Sequence, residues 1–135
     1  MNNSLIMMST ASSSAILATG IVPLNTITRR RGQVLEGNSN SIIMNRPGYY
    51  KVNANITFTA PVAGVVSVKA QKNNVDILGM TASTTITTAT TEVRSLSISG
   101  VVRVTCGEGF GTLTLINSGV AITSSNVEID VEYLG

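Results

Sequence analysis

Apolar and polar residues alternate without interruption along RPGYYKVNANITFTAP, residues 46–61. A period of two places one row of side chains on each face of a β-strand, so the sequence predicts a long strand over residues 48–60. We expect the apolar row to fill a core and the polar row to face solvent or a partner. The apolar row is Tyr50, Val52, Ala54, Ile56, Phe58 and Ala60, and the polar row is Lys51, Asn53, Asn55, Thr57 and Thr59.

The same alternation predicts a second long strand over residues 92–106 and a closing strand over residues 126–133. The inward row of the second strand is Leu96, Ile98, Val102, Val104 and Cys106. Gly100 interrupts it and is expected to form a bulge or bend, and Cys106 is expected to be a small buried apolar residue. In the closing strand the inward row is Val127, Ile129, Val131 and Tyr133, and the outward row is Asn126, Glu128, Asp130 and Glu132.

Shorter β-branched or apolar runs, separated by turn residues, predict the remaining strands, and no sustained i, i+3, i+4 stripe predicts a helix. The pair Asn73-Asn74 predicts a hairpin turn, because Asn tolerates positive φ. The Thr-rich residues 82–91 form either an exposed loop or a weak edge strand. The pattern as a whole predicts an all-β chain: an antiparallel β-sandwich or jelly roll of about eight core strands plus an N-terminal pair. The short runs are residues 15–19, 24–28, 33–36, 41–45, 65–72, 75–81 and 112–116.

The composition is that of one small domain with few charges. The chain has 135 residues, of which only 12% are charged, against about 25% in an ordinary soluble domain. Its surface must therefore be covered by Ser, Thr, Asn and Gly, or be partly hidden against other chains. The net charge is +2, and the cations are not interleaved with aromatic residues, so no nucleic-acid partner is expected.

The N-terminal sequence, MNNSLIMMSTASSSAILATG, lacks two features of a secretory signal peptide. It has no positively charged start, and its apolar run from Leu5 to Met8 is shorter than the roughly 7–15 residues required. No apolar stretch approaches the roughly 20 residues of a membrane span. We therefore expect neither classical secretion nor membrane insertion.

The inventory of reactive side chains argues against an enzyme. The chain has no His and a single Cys, which excludes a Ser-His-Asp or Cys-His arrangement and a zinc site. A lone cysteine also excludes an intrachain disulfide. No loop clusters acidic residues as a calcium site would require. We expect no catalytic residue, no cofactor and no metal.

Several segments resemble the C1q/TNF-like jelly-roll family: PGYYKVNANITFTAPVAG, VSVKAQKNNVDI, SLSISGVVRVTCGEG, LTLINSG and VEIDVEYLG. The upstream run ILATGIVPLNTITRRRG resembles the lead-in of small C1q-like proteins of bacteriophages and prophages. This resemblance implies a jelly-roll domain over residues 33–135, preceded by a short N-terminal arm, residues 1–32, that docks to a particle.

The resemblance also implies a homotrimer in which one sheet of each subunit packs round a threefold axis. Closed cyclic assembly would cover sheet edges that the chain otherwise leaves with little Lys or Pro. We expect Lys51 and Arg103 to meet the acidic residues of the closing strand, within or between subunits; a solvated polar face is the alternative. The expected interface residues are Tyr49, Lys51, Asn53, Asn55, Arg103, Glu128, Asp130 and Glu132.

The expected function is that of a non-enzymatic bacteriophage virion protein, a trimeric head-decoration or head-fibre module on the virion surface. The run Arg29, Arg30 and Arg31 is either an anchor on another virion protein or a solvated linker. An alternative function is a receptor-binding module that recognises carbohydrate or protein on a bacterial surface through distal loops, with Phe110 as a contact and Tyr49 and Tyr133 as further aromatic candidates. A bacterial surface or spore-coat trimer is a third.

Overall fold

The computed structural model describes residues 4–11 and 13–135, and these fold into eleven β-strands without a helix. The long strands form where apolar and polar residues alternate, and turns rich in Gly, Asn and Ser separate them. The strands are β1 (Leu5–Thr10), β2 (Ser14–Ile16), β3 (Thr26–Arg31), β4 (Leu35–Asn38), β5 (Ser41–Met44), β6 (Gly48–Thr59), β7 (Gly64–Lys72), β8 (Val75–Ile86), β9 (Arg94–Val104), β10 (Gly111–Asn117) and β11 (Ile122–Tyr133).

The strands form two antiparallel sheets. The first sheet has the order β3-β1-β11-β6-β9, with β2 also paired to β11, and the second has the order β4-β5-β10-β7-β8. All pairings are antiparallel. The predicted all-β class and the two-sheet sandwich are confirmed.

The core lies between the sheets and contains the apolar rows that the sequence predicted. Tyr50 and Phe58, at opposite ends of β6, are both fully buried. The pairing of β6 with β9 runs in one register from Gly48 opposite Val104 to Phe58 opposite Arg94. Because a shift by one residue would turn every apolar side chain outward, this burial also fixes the register of the first sheet.

The N-terminal segment is part of both sheets. β1 lies between β3 and β11 in the first sheet. The chain then crosses to the second sheet, where Ile21 pairs with Ile116 and the Val22 N–H donates to the Leu115 carbonyl at 2.8 Å. The described part of residues 1–32 is therefore no appended arm. It supplies strands of the jelly roll itself, which the expected boundary after residue 32 did not anticipate.

Two local predictions on the β9 strand are wrong. Cys106 is exposed, because β9 ends at Val104 and the chain turns at Thr105, whose carbonyl accepts from the Glu108 and Gly109 N–H groups. Gly100 makes no bulge: it pairs opposite Val52 without a register shift. Its lack of a side chain instead makes room for Met80, whose Cγ would lie 3.1 Å from an added Cβ.

The register shifts lie elsewhere: in the pairing of β8 with Lys69 and Gln71 of β7, and in the pairings of β1 with β3 and of β11 with β6. Before the shift in β8, Asn73 and Asn74 adopt φ of 53° and 67°, which confirms the predicted hairpin turn. After it, β8 continues to Ile86 as the edge of the second sheet. The first half of the Thr-rich stretch, residues 82–86, is thus an edge strand, and the second half, residues 87–91, forms a loop.

Candidate functional site

The outer face of the first sheet, which is the face turned away from the second sheet, collects all the residues predicted to form an interface. Alternation along β6, β9 and β11 buries one row of each strand and directs the other outward. All of the outward residues are exposed except Glu128, which is half-buried. They are Tyr49, Lys51, Asn53 and Asn55 on β6, Arg103 on β9, and Glu128, Asp130 and Glu132 on β11.

The strand register places basic and polar residues of β6 directly opposite the acidic row of β11. Lys51 lies opposite Glu132, and Asn53 lies opposite Asp130. On the other side of β6, Tyr49 lies opposite Arg103, whose guanidinium carbon is 5.6 Å from the centre of the tyrosine ring. This distance is that of a cation–π contact, so Arg103 is held at the sheet edge beside Tyr49.

Within the subunit, the expected charge pairs do not form. Among the described residues, the ion pairs within 4.0 Å are Lys69–Asp76, Lys72–Glu108 and Arg94–Glu92. None includes Lys51 or Arg103. The acidic row of β11 therefore remains available to a neighbouring molecule, and a pairing between subunits stays a prediction.

Two residues of this face were missed by the sequence patterns. Leu5 and Met7 of β1 point outward and are only half-buried. Together with charged neighbours they line a depression of about 210 Å³. The four consecutive apolar residues from Leu5 to Met8 hide the alternation, so the sequence gives no sign of which face each residue takes. The other lining residues are Arg29, Lys51, Asn53, Asp130, Val131 and Glu132.

The arginine run forms the second half of β3, the outer strand of the first sheet. Arg31 pairs opposite Leu5 and Arg29 opposite Met7, so both point to the outer face. Arg30 pairs opposite the buried Ile6 and points the other way. The run is therefore part of a strand and not a loop or a linker. Arg29 and Arg31 make this edge of the outer face basic.

The carboxylate of Glu108 stabilises the turn that carries Phe110. One oxygen of this carboxylate accepts from the Thr105 N–H at 2.8 Å and from Lys72 Nζ at 2.9 Å. These bonds, the first above all, lower the pKa of Glu108 from 4.5 to about 2. Phe110 itself is 56% exposed. The ligand contact expected at Phe110 stays a prediction.

Phe110 lies at the end of the sandwich that also holds Ser4 and Gly135. The Tyr49 N–H donates to the Gly135 carbonyl, the Tyr133 N–H donates to the Ser4 carbonyl, and Gly48 pairs with Val104 just before the turn. Phe110 therefore lies at the same end of the sandwich as the start of the N-terminal strand, and both the docking role and the ligand contact stay predictions. The end opposite to Ser4 carries other loops, including residues 87–93.

In the loop of residues 87–93, the carboxylate of Glu92 holds the backbone, as that of Glu108 does at the other end of the sandwich. Its carboxylate accepts from Arg94 Nε at 2.7 Å and from the Thr87 and Thr88 N–H groups at 3.1 and 3.0 Å. These contacts, led by Arg94, lower the pKa of Glu92 from 4.5 to about 2. The loop is thus held by an ionised carboxylate that the sequence did not single out.

Within the described residues there is no cluster of three or more His, Cys, Asp or Glu side chains that could hold a metal ion. Nor does any helix in that part of the chain have the length and apolar character needed to cross a membrane.

No protein-family model and no curated protein sequence matches the chain. Solved structures do match in shape. Murine APRIL at pH 5.0 aligns with a TM-score of 0.72 at 14% identity, over 98% of this chain and 99% of the other. The globular domain of the zebrafish complement 1qA protein aligns with a TM-score of 0.68 at 9% identity, over 98% of each chain.

The chain has the TNF/C1q jelly-roll fold. A further match is the PRD1 vertex protein P5, with a TM-score of 0.60 at 15% identity over 99% of this chain and 97% of the other. Since these alignments cover nearly the whole chain, they include the N-terminal segment as well as residues 33–135. This agrees with the pairing of β1 inside the first sheet.

Proposed function

We propose that this chain is a non-enzymatic structural protein of a bacteriophage virion, a homotrimeric head-decoration or head-fibre module. The observation that carries the virion role is the likeness in fold to the PRD1 vertex protein P5 along almost the full length of both chains. The phage-like lead-in of the sequence supports the same role. The surface of the particle is the location that follows from it.

The outer face of the first sheet is the proposed trimer interface. It exposes an acidic row on β11 with no partner within 4.0 Å among the described residues, next to the half-buried Leu5 and Met7. A neighbouring subunit would cover these apolar side chains and bring its own Arg103, which stands at the β9 edge, to the acidic row. The interaction would set the orientation of the subunits more than their affinity, because pairs of this kind contribute about 0–1 kcal/mol each while exposed.

The trimer is tested by native mass from light scattering. The wild type should be a trimer, and Met7→Asp should give monomers because it places a charge in the apolar part of the face. Val65→Asp is the matched control, since Val65 is also an exposed apolar residue (54%) but lies on β7 of the second sheet. A trimer that survives Met7→Asp would remove this face from the interface.

The virion role is tested with phage particles that lack this protein. Adding the purified wild type should restore the resistance of the particles to heat or low salt. Restored adsorption to host cells without any gain in particle stability would contradict the decoration role and favour a receptor-binding module. Met7→Asp should restore neither property if assembly of the trimer is required.

A further inference from the structure

β3 is exposed along its whole length and closes one side of the first sheet. All six of its residues are exposed, and within the described chain β3 pairs only with β1. The far edge of such a strand presents backbone N–H and C=O groups that can accept another strand.

The second half of this edge carries three consecutive cations, and the first half is uncharged. Arg29, Arg30 and Arg31 are three of the nine cations of the chain. Arg29 and Arg31 point to the outer face, beside Met7 and Leu5. Residues at i and i+2 of a strand are roughly 7 Å apart, which is also the spacing of alternate residues on any strand added next to them.

These cations lack acidic partners within the described chain. No carboxylate lies within 4.0 Å of the three arginines, and the acidic residues of β11 are separated from β3 by the whole of β1. Like charges directly opposite each other destabilise a strand pair, whereas opposite charges stabilise it. The arginine half of the edge is therefore unsuited to lying opposite the arginines of a second β3 and suited to an acidic strand.

The other row of the edge leaves space for a partner. Arg30 donates from Nε to the Leu35 carbonyl of β4 at 3.1 Å, which holds its side chain across the gap between the sheets. Beside it lies an open depression of about 510 Å³ lined by Arg30, Gly32, Gln33 and Glu36. Glu36 adds a negative charge there, so a neutral polar side chain fits this side better than a further acid.

We propose that the β3 edge binds an extended acidic segment of another protein, which adds to the first sheet as a further strand. Two of its Asp or Glu residues, spaced i and i+2, face Arg29 and Arg31, and a neutral residue between them lies over the depression beside Arg30. Main-chain hydrogen bonds give such a complex its affinity, and the alternate side chains give it specificity. The identity of the partner as a virion protein rests on the function proposed above, whereas the chemistry of the edge is independent of it.

The test uses the full chain and three fluorescein-labelled nine-residue peptides, measured by fluorescence anisotropy at about 50 mM salt, where surface charges are weakly screened. One peptide alternates Asp with Thr. The second has the same composition with all acids contiguous. The third has the alternating sequence with every amide N-methylated, so that it cannot donate ladder hydrogen bonds.

Only the alternating peptide should bind well. The double change Arg29→Gln and Arg31→Gln should weaken it by about 2- to 30-fold, the loss expected for two cross-strand charge pairs. Arg46→Gln is the control, because Arg46 is an exposed cation in the turn before β6. Circular dichroism of each variant confirms that it remains folded.

Three results would overturn the proposal: no binding of the alternating peptide up to about 1 mM, equal binding of the contiguous or N-methylated peptide, or binding that the double change leaves intact. Tighter binding of an oligothymidylate through the same arginines would assign the edge to nucleic acid instead. None of these results bears on whether the protein stabilises phage particles, so the two proposals fail separately.

Discussion

Asn117 joins the N-terminal segment to the second sheet, and its removal provides a direct test of that connection. The residue is fully buried. Its Nδ2 donates to the Val120 carbonyl at 2.9 Å and to the Leu17 carbonyl at 3.2 Å, and its Oδ1 accepts from the Gly119 N–H at 3.1 Å. Asn117→Ala removes these bonds and a longer one from Nδ2 to the Ile16 carbonyl at 3.4 Å; of the backbone partners, the Leu17 carbonyl still accepts from the Gly20 N–H at 2.9 Å.

The expected loss of stability comes from the Val120 carbonyl and the Gly119 N–H, which lose their bonds to the side chain. Each backbone group left without a partner costs about 1–3 kcal/mol when buried. Since Gly119 and Val120 are half-buried, water can reach part of the site, and the lower end of the range applies. Asn117→Ala should therefore reduce the free energy of unfolding by about 2 kcal/mol, which corresponds to a Tm lower by about 7 °C for a domain of this size.

Urea titration followed by circular dichroism measures the free energy, at one protein concentration for all variants because assembly contributes to stability. Asn117→Asp keeps the size of the side chain but replaces its donor with a carboxylate facing carbonyl oxygens, so it should be at least as destabilising as the alanine. Ser118→Ala is the control, since Ser118 is the exposed neighbour. A loss below about 0.5 kcal/mol for Asn117→Ala, the range of ordinary surface changes, would refute the reasoning.

Three further predictions concern single positions. Because the pKa of Glu108 is lowered from 4.5 to about 2, its stabilising effect is complete above pH 4.5 and is lost as the pH falls towards 2. The Tm of the wild type should therefore exceed that of Glu108→Gln at pH 6 and approach it near pH 2. Gly119→Ala should cost about 3 kcal/mol, because its Cβ would lie 2.5 Å from the Val65 carbonyl oxygen; Gly107→Ala, with open space around it, should be neutral. Cys106 should react with a thiol reagent in the native protein, in contrast to a buried cysteine, since it is exposed.

The long strands could be predicted from the sequence because each has one face in the core and one outside it. Along β6, β9 and β11 most side chains follow that geometry, so alternation gave the inward rows apart from Cys106, which is exposed. Val101 of β9 is an exception, because it is apolar and exposed. The choice of the eight interface residues among the outward rows came from the family resemblance. The hairpin at Asn73-Asn74 could also be predicted from these two residues alone, since both adopt the positive φ that Asn tolerates.

β1 and the segment after it could not be predicted in this way. The outward residues of β1 are Leu5, Met7 and Ser9, all half-buried, and the first two are apolar. A strand with apolar residues on both faces shows no alternation. The crossing to the second sheet depends on Asn117, which lies about a hundred residues along the chain, and no local pattern reports such a contact.

β1 and β3, whose outward residues the alternation did not give, lie next to each other in the first sheet. A strand loses the alternation of apolar and polar residues where one of its faces contacts something other than the core or bulk water. This alternation is lost in β1 and at the arginines of β3, two neighbouring strands of the first sheet. The apolar residues on the outer side of β1 indicate that another molecule covers this surface. The consecutive cations on β3 indicate that the molecule beside them is anionic. If the outer face met only water, Leu5 and Met7 would gain nothing from being apolar. Replacing both with Thr would then leave the native mass and the stability of the protein unchanged, whereas a trimer built on this face should dissociate.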